Sequence, residues 1–411
     1  MEITKDIING IKVTYIKTNK FKTVGCKMFF KSEVNNNITR RMLLLDNLLK
    51  SSKKYNTNEK LAEKLLDLYN LSISGNTTRY GNNIITSLGF SAINDKFIDD
   101  EVVIPSTLVF CELLLNPNII NNEFNKEEFD INYKRMEISL KTEKENPKSY
   151  GLKKISKKMS PNTAISKSKN LRELKTITAK NLVDEYYDFI NNTEKELYII
   201  GDIDYKKIAD IITKGFKNKI QDNINVITHK NINTKLKVFK EKLNTSGSIL
   251  LYGLKLVNLT DYERSIVAPI YNGILGVGGS SRCFNLIREK NSLAYFSYSK
   301  YNKDDALMCI ISGIDKKNYD KTLKLTNEVL DSMNDIKDEE LNRVKTEIIA
   351  SIKEAFDYKF SIIGLYYFKE YFNEPDNEEL INKIKNVTKE DLYNLNKKIK
   401  RSVIYMLEGD K

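Results

Sequence analysis

Residues 273–279, GILGVGG, place four glycines in seven positions, and Ser280, Ser281 and a charged segment follow. Such a run raises the chemistry of phosphate first, because glycine lets backbone N–H groups close around an anion. A Walker-type loop needs Gly-Lys-Ser/Thr so that the lysine reaches the phosphates, whereas Gly279 is followed by two serines. A dinucleotide fingerprint follows a buried strand, whereas TDYERSIVAPIYNGIL, ahead of Gly276, has the spacing of a helix. Nucleotide binding is therefore not expected. The plain alternative is a glycine corner between two helices.

The other reactive residues are restrictive. His229 is the single histidine of the chain, in the polar stretch QDNINVITHKNINTK, and it reads as an ordinary exposed residue. One histidine excludes a helical HExxH or HxxEH zinc site, and any Ser/His/Asp or Cys/His machine would have to draw on this residue. Cys26, Cys111, Cys283 and Cys309 lie far apart with no CxxC pair. A zinc knuckle is thereby excluded, and buried free thiols in a reducing compartment are expected.

Length and composition set the frame for these residues. At 411 residues the soft expectation is two domains, and 41% hydrophobic with 30% charged residues is the balance of a folded chain. No apolar run approaches the roughly 20 residues that cross a bilayer, and MEITKDIINGIKVTYIKTNK has no signal-peptide core, so cytoplasmic residence is expected. The net charge of +12 raises nucleic acid or an acidic substrate as a partner. The lysines, however, are spread among asparagines and isoleucines and form no arginine-rich patch, so nucleic-acid binding is not expected.

The elements that must position the glycine run occur twice, at an offset of about 210 residues. In the first half TVGCKMFFKSE (23–33) reads as a strand, ITRRMLLLDNLL (38–49) and NEKLAEKLLDLYN (58–70) as helices, and LSISGNTTRYGNNIITSLGFS (71–91) as a hairpin. In the second half the same order is carried by 245–256, 260–275, 281–290 and 293–314. The helices 106–116, 125–143 and 177–190 answer 319–333, 337–355 and 387–399, and the strands 195–204 and 401–411 close each half. Thr178 and Thr388 are suited to cap the corresponding helices. The expected division is an N-terminal domain, 1–218, a linker, 219–235, and a C-terminal domain, 236–411. Strands arriving as hairpins, with helices between strand groups, predict an α+β fold: a tandem repeat of two homologous domains, each an antiparallel-rich sheet with helices packed on one face.

This order of features resembles the M16 family of zinc metallopeptidases, the pitrilysin, insulinase and mitochondrial-processing-peptidase group, over essentially the whole chain. The most specific piece is LGVGGSSRCFNLIREKNSLAYFSYS (275–299), similar to the family's C-terminal glycine-rich loop, "LF..lRE" helix and "gLaY" strand. The resemblance implies the M16/LuxS-like metallohydrolase fold. It also implies an HxxEH helix in the N-terminal domain, and alignment on SSKKYNT (51–57) puts that motif on MLLLD, residues 42–46. Met42 and Asp46 then stand where the two zinc histidines would be, and Leu45 where the catalytic glutamate would be. The motif is degenerate, the third ligand has no counterpart in 125–147, and no zinc or other cofactor is expected in this chain.

The other half of the family's machinery carries over by motif. Arg288 of LIREK and Tyr295 of SLAY match the arginine and tyrosine that hold the peptide carbonyl and the developing oxyanion opposite the zinc. Gly276, Gly278, Gly279 and Ser280 would then line the chamber against the peptide or the partner subunit. A chain with this pair and no zinc ligands resembles the YmfF/YfmF-like group of the heterodimeric bacterial branch, a pseudoenzyme subunit whose YmfH-like partner bears HxxEH and the zinc. The resemblance thus implies a zinc-less subunit acting on a peptide substrate in trans, with a homodimer as the arrangement when alone and no membrane contact. The competing expectation is a catalytically inert scaffold or peptide-binding protein of the same fold.

Overall fold

The computed structural model describes residues 1–35, 37–220, 226–229 and 235–410, so most of the expected linker, 219–235, lies outside the described residues. In chain order the first half contributes β1 (Glu2–Ile8), β2 (Ile11–Lys17), β3 (Thr23–Glu33), β4 (Ser72–Tyr80), β5 (Asn83–Ile93), the two-residue strands β6 (Ile119–Ile120) and β7 (Glu123–Phe124), and β8 (Glu194–Gly201). The second half contributes β9 (Lys237–Leu243), β10 (Ser248–Leu256), β11 (Ala294–Asn302), β12 (Leu307–Ile314) and β13 (Ile399–Gly409).

The repeat read from the sequence is present as topology. The first sheet runs β1-β2-β8-β3-β5-β4 and the second runs β9-β13-β10-β12-β11. Apart from the additional strand β1, the second order is the first one rewritten with the corresponding strands. Each sheet is antiparallel except for one parallel pair, β2 with β8 and β13 with β9. The N-terminal hairpin was not legible as part of the repeat. Its turn, Asn9–Gly10, holds both residues at positive φ, 51° and 77°, the conformation that a two-residue hairpin requires.

Alternation decides which side chains each sheet buries. Along β3, Cys26, Met28 and Phe30 enter a core shared with the helix Ile38–Leu48, through Leu44 and Leu48, and with the helix Val103–Leu115, through Phe110 and Leu114. Along β10, Leu250, Tyr252 and Leu254 do the same with Ile270, Tyr271 and Ile274. The helix pair expected to be capped by threonine is so capped. Thr388 accepts from the Asp391 N–H and Asp391 returns the bond, and Thr178 exchanges an equivalent pair of bonds with Asn181.

Helices on one face only is a correction to make, because the second face of each sheet is also covered. On the first sheet Phe29 stacks on Tyr367 with ring centroids 3.7 Å apart, and a Cβ at Gly25 would meet Lys359 and Phe360. On the second sheet Ile155 and Met159 of the helix Pro147–Met159 press on Gly253, and Gly151 meets Leu251 and Leu407. The compact units are accordingly not contiguous in sequence. One comprises 1–141, 167–224 and 356–367; the other comprises 142–166, 225–355 and 368–411.

Two smaller expectations can be placed. All four cysteines are free and buried, with burial pushing the thiols of Cys111, Cys283 and Cys309 up to about 12, so they are packing residues and not nucleophiles. His229 is not an ordinary exposed residue: it is half-buried, its Nε2 lies 2.9 Å from the Asp305 carbonyl, and burial lowers its pKa. Its backbone carbonyl also accepts from the Asn258 N–H, which ties the end of the polar stretch to the second unit. No helix among the described residues is long and apolar enough to cross a membrane.

Candidate functional site

The glycine run begins at the end of the helix Ala268–Gly276 and is followed by a π-helical segment, Phe284–Lys290. Residues of π-helices are sparse in proteins and concentrate at functional sites, because the wider turn re-aims side chains. Arg288 lies in that segment. It is exposed, its guanidinium stands over the Phe284 ring at 4.8 Å, and its Nε is 3.8 Å from Glu289. The segment is closed by Ser292 in the left-handed region, φ 49°, with the Ser292 and Leu293 N–H groups donating back to Arg288 and Ile287.

Tyr295 follows on β11, the edge strand of the second sheet. The β11–β12 register shifts between Ala294 and Phe296, so Tyr295 is the residue expelled at a β-bulge. A bulge leaves its extra residue outside the ladder and turns its side chain off the strand's alternation. The ring is 68% exposed for that reason, on a strand whose neighbours Ser297 and Ser299 are buried. Its hydroxyl donates to Asp315 Oδ1 at 2.8 Å, and this bond to a carboxylate raises the tyrosine pKa, so the group keeps its proton. Arg288, Tyr295, Asp315 and Asn318 line one groove of about 400 Å³. The two residues matched by motif thus line one groove, together with Asp315, which no sequence signal singled out and which accepts the Tyr295 hydroxyl.

The glycines divide into two kinds. Gly278, Gly279 and Ser280 are exposed, Gly278 has φ 77°, and Ser281 turns back to bond the Gly278 carbonyl at 2.8 Å. Gly276 is buried, and a Cβ there would lie 2.3 Å from the Ser299 backbone nitrogen. Gly276 lets the helix end press on β11, whereas Gly278, Gly279 and Ser280 stay at the surface. Gly276→Ala is expected to cost about 1–3 kcal/mol by overpacking, against less than about 0.5 kcal/mol for Gly279→Ala, where the added methyl meets only the Phe284 ring edge at 3.8 Å, an ordinary contact. Urea midpoints of the two variants compare them directly.

The helix Ile38–Leu48 holds the degenerate zinc-motif positions. Leu45 is buried, 6% exposed, with Gly75 of β4 packed on its side chain, and Met42 is half-buried against the same core. Asp46 keeps solvent exposure; desolvation raises its carboxyl pKa, while Lys169, Arg135 and Lys50 lower it. The facing helix Lys126–Lys141 offers Asn132, bonded to Asn47, and the cation Arg135, an amide and a positive charge where a metal would need a carboxylate. A thioether, an aliphatic side chain and one carboxylate ringed by cations do not fit zinc. No group of three or more metal-binding side chains occurs among the described residues.

What holds this helix is an ionic pair that the sequence did not advertise. Arg41 is 1% exposed, its Nε lies 2.6 Å from the Glu185 carboxylate, and its guanidinium stands 4.9 Å from the centre of the Phe189 ring. Glu173 receives the Thr39 and Arg40 N–H groups at the helix N-terminus, where the unpaired donors of the first turn need an acceptor.

Residues 176–348 match the family profile described as the peptidase M16 inactive domain. Over 413 residues the chain is 24% identical to the probable inactive metalloprotease YmfF of Bacillus subtilis (strain 168), covering 97% of this chain and 96% of that protein. A solved structure described as a conserved protein from Enterococcus faecalis V583 superposes with TM-score 0.91 at 22% identity, covering 100% of this chain and 99% of that one. A peptidase M16 inactive domain from Pseudomonas fluorescens superposes with TM-score 0.81 at 16% identity, covering 100% and 98%. At these identities the two solved structures speak for the fold alone.

Proposed function

We propose that the chain is a member of the M16 peptidase family and the non-catalytic subunit of a two-subunit peptidase. Its groove supplies Arg288 and Tyr295 to a peptide held at the zinc site of a homologous HxxEH-bearing subunit. The observation that carries this reading is the contrast between the two motif regions. Arg288 and Tyr295 share one exposed groove, while Met42 and Leu45 are packed into a core. A guanidinium that keeps its charge and a hydroxyl that keeps its proton are the donors that a carbonyl oxygen gaining negative charge requires. The name of the Bacillus subtilis relative, a probable inactive metalloprotease, supports placing this chain among the members without their own metal chemistry.

One observation favours the second reading, an inert scaffold or peptide-binding protein. The single proton of Tyr295 is given to Asp315, and that bond must be exchanged before the hydroxyl can serve a substrate. The test is zinc content and peptide hydrolysis of the purified chain, alone and mixed with an HxxEH-bearing M16 homologue from the same genome. This chain alone is expected to hold no zinc and to hydrolyse no peptide, and the mixture is expected to turn over faster than the homologue does alone. A mixture no faster than the homologue alone would favour the scaffold.

A further inference from the structure

The segment 144–158 sets six lysines within 15 positions, on and just ahead of the helix Pro147–Met159. The helix buries Tyr150, Ile155 and Met159 against the second sheet, which leaves lysines along its remaining length. Lys148 stands over Tyr298 of β11 at 4.5 Å, Lys153, Lys154 and Lys157 follow, and Lys158 stands over Phe239 of β9 at 4.4 Å. Two of the carboxylates nearby are engaged: Glu143 holds Lys153 at 2.6 Å, and Glu241 takes Lys144 and Lys154 together with the Tyr150 and Tyr405 hydroxyls; Glu145, between Lys144 and Lys148 in sequence, is exposed. Lys148, Lys157 and Lys158 have no carboxylate at ion-pair distance among the described residues. Burial chiefly, and then the neighbouring Lys153 and Lys154, lower the Lys157 pKa, while Glu143 opposes them.

We infer that this lysine track docks an acidic segment of the polypeptide that the Arg288/Tyr295 groove receives. The inference rests on the function proposed above and names the class of substrate. Thirteen helical residues give a track of about 20 Å, the span of about six extended residues. It starts beside the groove, because Lys148 covers Phe296 and Tyr298, the strand neighbours of Tyr295. The chemistry favours a carboxylate-bearing chain over nucleic acid. Tyr298, Tyr150 and Phe239 are each covered by a lysine, so they present no free face on which bases stack, and the helix carries no arginine to fork a phosphate.

Fluorescence anisotropy on the full chain, without partner, tests this with labelled oligoglutamate, oligolysine and single-stranded DNA as probes. Oligoglutamate is expected to bind and to weaken as salt rises from about 50 to 200 mM, as screened surface charges do, and oligolysine is expected not to bind. The triple variant Lys148→Glu, Lys157→Glu, Lys158→Glu should lose about tenfold or more in affinity, and the corresponding glutamine variant a smaller part of it. Lys148 and Lys158 are exposed, so the double variant Lys148→Glu, Lys158→Glu is expected to lose affinity with an unchanged urea midpoint. Lys206→Glu, an equal charge reversal at an exposed position of the helix Tyr205–Thr213, should leave oligoglutamate binding within about twofold, since it is not part of the track. Unchanged binding by the triple glutamate variant would overturn the inference. So would DNA that binds more tightly than oligoglutamate and responds to the same substitutions. No hydrolysis enters this readout, so its failure and the failure of the mixed-subunit experiment remain distinct.

Discussion

Arg288→Ala lowers kcat/KM of the mixed complex by about 10²–10³-fold, the loss that follows removal of one preorganised oxyanion donor, while its zinc content is unchanged. The expectation combines position with chemistry. Arg288 is exposed on a π-helical turn, stacked on Phe284, and its side chain supports no core. Truncation therefore leaves the stability of the chain within about 0.5 kcal/mol of wild type, and lost turnover cannot be assigned to unfolding. Most of the loss should fall on kcat, because the donor matters most when charge has developed on the oxygen. Tyr295→Phe should cost less, since the hydroxyl is shared with Asp315 and its exchange already weakens it as a donor. Full activity of the Arg288→Ala complex would leave the groove a binding surface only.

Arg41→Ala lowers the stability of the chain by about 3–5 kcal/mol, the largest change expected of any single substitution on the zinc-motif helix. The cost does not come from losing an attractive contact alone. It comes from leaving Glu185, 6% exposed, without the cation that compensates its burial. Desolvation raises the Glu185 pKa in the native chain and Arg41 opposes it; without Arg41 the rise is unopposed except by Arg40. The sign of the pH dependence follows. A carboxyl whose folded pKa is raised binds its proton more readily in the folded state, so the deficit is complete above that folded value. It shrinks as pH falls through that value toward about 4.3, the unfolded glutamate value. Replacing both partners, Arg41→Met with Glu185→Met, should recover most of the loss, because two apolar side chains remove both desolvation penalties. Urea unfolding of the wild type and of these two variants between about pH 4.5 and 7.5 measures each arm. A single-variant loss below about 1 kcal/mol would mean that the pair is not what holds this helix.

The two expectations bear on opposite ends of one argument. The helix on which the resemblance places the zinc motif is anchored by packing and by a buried ion pair, and the groove on the second sheet keeps Arg288 and Tyr295 exposed.

The duplicated order of elements was legible in the chain because it rests on local signals. Apolar period, turn glycines and capping threonines act within a few residues, and Thr178 with Asn181 or Thr388 with Asp391 need only their own turn. Arg288 and Tyr295 could be paired in advance only through the resemblance of 275–299 to the family's motif; in the structure a tight turn joins the segment of one to the strand of the other. The sequence alone also determined that no histidine pair exists for zinc. Tertiary structure decided what depends on distant residues. The apolar side of the helix Pro147–Met159 announces burial but not the sheet it covers, and the same holds for 356–367. Gly276 differs from Gly278 and Gly279 only through Ser299, which fills the space its Cβ would take. The exposure of Tyr295 depends on a register shift against β12, and its bond to Asp315 on the strand end that this pairing brings alongside. Such facts belong to pairing and packing, whose energies come from partners tens or hundreds of residues away, and no local pattern encodes them.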